Sequence, residues 1–150
     1  MGDDILTKLQ IEGKSLSSIQ KRAIAFVIDD TLISTLFFII FYKGFVANIG
    51  NYNSFVLFMN SIFVYILIVK IIYQTIFVYI YGQTLGKMAM KIRVVDIDYL
   101  DNPSFDKALI RALMRVVSTI FLYLGFLWAL YNPKRETWHD YFAKTIVIDD

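Results

Sequence analysis

Apolar residues are concentrated in three long runs separated by short polar stretches. The first, Ala23 to Tyr42, has about the 20 residues a helix needs to cross roughly 30 Å of hydrocarbon. The second, Phe55 to Tyr81, is longer than a bilayer requires and is expected to tilt or protrude. The third, Ala108 to Tyr131, carries Arg111 and Arg115 four residues apart on one helical face. Polar sequence fills residues 1–21, where Ser15, Ser17 or Ser18 can cap the helix that enters the first run. Gly82 is a natural stop for the second helix, Ile92 to Ile97 has the pattern of a short strand, and Ser104 can open the third helical region.

Two short β-type segments, Ile92 to Asp96 and Thr145 to Asp149, are similar enough to pair, which requires them on one side of the membrane. Lys134, Arg135 and Lys144 follow the third run closely, and the positive-inside rule disfavours sending them across. An interfacial or re-entrant third region, dipping in and returning near Gly125, is therefore favoured over a full span. The expected fold is an all-α membrane protein with two long transmembrane helices, this third apolar region and a small cytoplasmic two-strand pairing. Its parts are an N-terminal segment over 1–21, one membrane domain over 22–147 with spans at about 23–42 and 55–81 and the third region at 108–131, and a tail over 148–150.

Composition agrees with this pattern. Hydrophobic residues make up 57% of the 150 positions and the mean hydropathy is +0.56, outside the usual soluble balance. A net charge of +2 is too slight to suggest a nucleic-acid partner, and basic residues are better explained by topology. Lys8, Lys14, Lys21 and Arg22 precede the first run, whereas the connection from Lys43 to Ser54 holds one basic residue. This places the N-terminus in the cytoplasm of a multi-pass membrane protein, with the first span acting as an uncleaved insertion signal. Lys87, Lys91 and Arg93 put the following loop on the same side, where they can also touch anionic lipid. Without cysteine there is no disulfide framework and no thiolate metal site.

Charge inside the apolar runs carries the candidate chemistry. Asp29 and Asp30 interrupt the first run, and an ionised Asp inside a spanning helix costs about 2.5–3.5 kcal/mol unless it meets a polar cavity or a partner. Arg22 and Asp29 share a helix face, with Asp30 turned about 100° from Asp29. Lys70 and Gln74, one turn apart in the second run with Asn60 near the same stripe, are expected to face the first helix. Asp29 and Asp30 thus form the candidate ion or proton site, with Arg22, Lys70, Arg111 and Arg115 as charge partners.

The Arg22-x-x-Ala25 start followed by Asp29 and Asp30, the Gly82-Gln-Thr-Leu-Gly86-Lys87 turn leading into Ile92-Arg-Val-Val-Asp96, Arg111, and Trp138-His139-Asp140 before Thr145 together resemble the RDD family of bacterial membrane proteins, named for an arginine and two aspartates. The resemblance runs from about Lys21 to Val147. It implies that Arg22, Asp29 and Arg111 occupy the family's characteristic positions, while the position of Asp30 varies. It also implies a role in transport, which for some members is sodium–proton exchange.

Three readings remain. Carboxylates in a membrane can bind a monovalent cation or exchange a proton, and two adjacent ones lose their protons in coupled steps. With two or three spans, an ion path would call for a homo-oligomer or a partner membrane protein. The same charges can instead form a static polar lock that fixes helix register. A third possibility is a non-transporting scaffold or accessory subunit that binds a partner protein through the strand pair. His139 beside Asp140 supplies too few ligands for a metal and reads as a cap or docking point for the tail. Neither a Gly-x-Ser-x-Gly elbow nor a Walker spacing is present, so no enzyme and no cofactor are expected.

Overall fold

The computed structural model describes residues 2–121, 124–132 and 134–150. Its elements in chain order are α1 (Gly2–Ile11), α2 (Ile19–Ile40), α3 (Tyr42–Asn48), α4 (Tyr52–Tyr81), α5 (Leu85–Ala89), β1 (Ile92–Asp96), α6 (Phe105–Ile120), α7 (Leu124–Tyr131), α8 (Trp138–Ala143) and β2 (Thr145–Asp149). Among them α2 and α4 are long and apolar enough to cross a membrane.

Local chemistry sets the helix ends. Ser18 caps α2 by accepting the Lys21 N–H at 3.2 Å. Gly82 ends α4 in the left-handed region (φ 67°), as its lack of a Cβ permits. Along α2 the buried positions are Ala25, Asp29, Ile33 and Phe37, a stripe at four-residue spacing. Most of the remaining α2 and α4 surface is exposed and apolar, including Val27, Ile39, Leu57 and Val64, as suits helices that face lipid. Asn60, expected on the stripe that turns toward α2, is exposed instead.

The strand pairing forms with the expected segments. β1 and β2 are antiparallel, with Ile92 opposite Asp149, Val94 opposite Val147 and Asp96 opposite Thr145. Both faces of this ribbon are covered, which fits apolar residues on both sides of each strand. Ile92, Val94 and Val147 pack on Ala25, Val78 and Ala108, while Val95, Ile146 and Ile148 pack on Ile5 and Leu9 of α1. Helix α1 was not foreseen within the polar N-terminal segment; its short Ile5/Leu9 stripe gains stability only against the sheet. Leu16 adds a bridge to Ile148 and so joins the N-terminal segment to the edge of β2.

The third apolar region is interrupted. α6 has 16 residues, about 24 Å of rise, and ends at Phe121 with non-helical ψ. Residues 122 and 123, inside the 108–131 region, lie outside the described residues, and α7 follows. α6 packs between α4 and α8, whereas α2 is held mainly through α5. That arrangement leaves a gap between α2, α4 and α6.

Candidate functional site

The two adjacent aspartates have different surroundings. Asp29 sits on the buried stripe of α2 and accepts three hydrogen bonds: from the Tyr73 hydroxyl at 2.8 Å, the Thr84 hydroxyl at 2.7 Å and the Gly86 N–H at 2.8 Å. Thr84 and Gly86 belong to the turn and first residues of α5, so a carboxylate from another helix serves α5 as its cap. The backbones meet too closely here for a side chain. A Cβ on Gly86 would lie 2.1 Å from the Ala25 carbonyl oxygen. The Gly82–Lys87 turn thus has a physical purpose: it supplies a glycine where α5 touches α2 and a hydroxyl beside Asp29.

Asp30, turned away from that contact, forms an ion pair with Lys70 of α4. Both side chains stay partly accessible, Asp30 at 41% and Lys70 at 32%. They border a cavity of about 250 Å³ in the gap between α2, α4 and α6, whose wall also includes Asp29, Tyr73, Gln74 and Arg115. Arg115 donates to the Gln74 side-chain oxygen and lies 4.7 Å from the centre of the Phe26 ring. The Gln74 amide nitrogen is buried with no acceptor among the described residues.

Arg22 and Arg111 do not answer Asp29 or Asp30, as the sequence suggested; both bind Asp140 of α8. Arg22 Nη1 reaches Asp140 Oδ2 at 3.1 Å, and Arg111 pairs with Asp140 Oδ1. The helix geometry explains the change. Arg22 lies about 10 Å of axial rise before Asp29, near the end of α2 where the strand ribbon and α8 gather. Its guanidinium also donates to Ser17 Oγ at 2.7 Å, the Arg135 carbonyl at 2.6 Å and the Val147 carbonyl at 3.0 Å. Arg111 donates further to Thr145 Oγ1 at 2.7 Å.

Asp140 itself completes a capping box with Thr137, whose N–H and hydroxyl donate to Asp140 Oδ2 at 3.0 and 2.8 Å. Burial opposes its ionisation, but the guanidinium groups of Arg111 and Arg22 outweigh that penalty and hold the carboxyl well below the usual range. His139 is shifted the other way: burial, reinforced by the positive charges of Arg111, Arg115 and Lys87, holds its imidazole neutral well below the ordinary value. The sequence signal for this centre was the Thr137-x-x-Asp140 spacing, which announces a cap but not the arginines it gathers.

The molecule is therefore a mostly helical chain with two membrane-length helices, two adjacent carboxylates midway along the first, and an arginine–aspartate cluster where a two-strand ribbon closes the fold. The RDD family model matches residues 16–144, and the chain belongs to the RDD family. An uncharacterized protein of Rickettsia prowazekii (strain Madrid E) is 34% identical over 100 residues, 67% of this chain. The aligned stretch spans 56% of that relative's length. No solved structure matches the chain.

Proposed function

We propose that this RDD protein is a multi-pass protein of the bacterial inner membrane that exchanges a small monovalent cation for protons, with Asp30 as the exchanging carboxylate and Lys70 as its counter-charge. The observation that carries this reading is the accessible Asp30–Lys70 pair on the wall of a 250 Å³ cavity between two membrane-length helices. A cation entering that space can displace the Lys70 ammonium from Asp30, and protonation of Asp30 releases both. Asp29, with its three donors satisfied, fixes the helix that presents Asp30. Two membrane-length helices make a small path, so a second copy or a partner membrane protein is part of the proposal.

Topology follows the same reading. The Leu16–Ile148 bridge ties β2 to the segment preceding α2, which supports cytoplasmic placement of both ends and an interfacial or re-entrant α6–α7. A second reading, a non-transporting scaffold or accessory subunit, is favoured by the closed state of Asp29 and Asp140, which have the satisfied geometry of a static lock.

The test is cation-driven pH change in proteoliposomes containing wild type, Asp29→Asn or Asp30→Asn. The exchange reading expects wild type to dissipate a pH gradient on adding sodium or potassium, with Asp30→Asn folded but silent. A silent wild type, or exchange unaltered in Asp30→Asn, overturns it in favour of the scaffold.

A further inference from the structure

Between the two polar centres lies a second, smaller cavity of about 30 Å³, bordered by Arg22, Lys87, Arg111 and Arg115 and by the carboxylates Asp29 and Asp140. Its charges do not balance. Four basic side chains face two carboxylates, and both carboxylates are already engaged: Asp140 by Arg22 and Arg111, Asp29 by the neutral donors of Tyr73, Thr84 and Gly86. Arg115 spends its hydrogen bond on neutral Gln74.

Lys87 is the group left over. It is 6% exposed, and among the described residues its ammonium makes no hydrogen bond or ion pair. Arg111 Nε is likewise buried without an acceptor. Burying an ammonium without a counter-charge is strongly unfavourable, and proteins normally avoid it by pairing the charge or neutralising it. Burial, then the positive charges of Arg115 and Arg111, push the Lys87 ammonium well below its ordinary value, against the smaller opposing effect of Asp29 and Asp140. A space ringed this way repels sodium and potassium, so it does not extend the Asp30 cavity as a cation path.

The geometry points to a binding site for a small monovalent anion of halide size, held among the Lys87 ammonium and the guanidinium groups of Arg111 and Arg115. At about 30 Å³ the space can admit a small inorganic anion such as a halide. Such an anion would supply the charge missing between the membrane cavity and the Asp140 cluster. The site does not depend on whether the Asp30 cavity carries a cation.

Purified protein in detergent, prepared in potassium gluconate, is titrated with potassium chloride or bromide at constant ionic strength while its thermal unfolding midpoint is followed. Wild type is expected to show a saturable upward shift of several degrees, as for any ligand that binds only the folded state. Lys87→Met should abolish the halide effect, and Lys70→Met, at the other cavity, should retain it. No saturable shift in wild type, or an undiminished shift in Lys87→Met, overturns the proposal. Chloride NMR line broadening on wild type decides the matter without a variant: broadening that bromide displaces and gluconate does not supports the site, and its absence refutes it.

Discussion

The Asp140 cluster and the Asp30 cavity are built from the same residue types and handle charge in opposite ways. At Asp140 two arginines, a threonine and a backbone N–H converge on one carboxylate that is 1% exposed, so no proton or ion can enter without dismantling the contact. At Asp30 a single lysine faces a single carboxylate, and space remains beside them. The first arrangement holds a conformation, whereas the second leaves a charge available for exchange. Asp29, one residue from Asp30, belongs with the first kind: it still borders the cavity, but a rotation of about 100° along the helix turns its carboxylate to the donors of α5.

The largest effect is expected from breaking the closed side. Asp140→Asn leaves Arg22 and Arg111 buried without a counter-charge and should destabilise the protein by about 3–5 kcal/mol, measured by unfolding in detergent. Gly86→Ala ought to follow, with a loss of about 1–3 kcal/mol. Its sign is informative: in an unconstrained helix the same change stabilises by roughly 0.5–1 kcal/mol, but here the new methyl meets the Ala25 carbonyl.

Acid should weaken the closed cluster through His139. Because the folded protein holds this imidazole neutral, the unfolded chain takes up the proton first as pH falls through about 6.5. Stability then declines with a slope approaching about 1.4 kcal/mol per pH unit until the folded value is reached. Asp140, shifted down, keeps its contribution until the pH falls into the ordinary carboxylate range and then loses it progressively down to its depressed folded value. A His139→Gln variant should flatten the slope between pH 6.5 and 5; an unchanged slope assigns it to another group.

The smallest stability effect belongs to the open side. Lys70→Met or Asp30→Asn should shift stability by less than about 1 kcal/mol, as for other accessible pairs, while removing exchange in proteoliposomes. A loss comparable to that of Asp140→Asn would erase the contrast and make the Asp30 pair structural as well.

Hydrophobic pattern alone located α2, α4 and both strands, because length and β-branched composition separate membrane-length helices from short paired strands. It missed α1, whose apolar face is too short to stand out until a sheet covers it. Among the candidate residues, Lys70 was readable as a partner for the aspartates through its place on α4. The partner of Arg22 and Arg111 was not. Asp140 lies 118 residues from one and 29 from the other, and no spacing rule encodes a contact made by folding the end of the chain onto its start. Arg115, expected as a charge partner of the aspartates, borders their cavity but donates to the Gln74 amide and lies over the Phe26 ring, which composition does not reveal.

The separation of Arg22 from Asp140 also sets an order on biosynthesis. Helix α2 leaves the ribosome well before Asp140 has been made, so Arg22 stays without this partner through the synthesis of α4 and α6. Only when α8 and β2 emerge can the arginine be neutralised and the ribbon zip against β1 and Leu16. The later-translated segment, α8 and β2, is therefore a latch on the earlier helix α2.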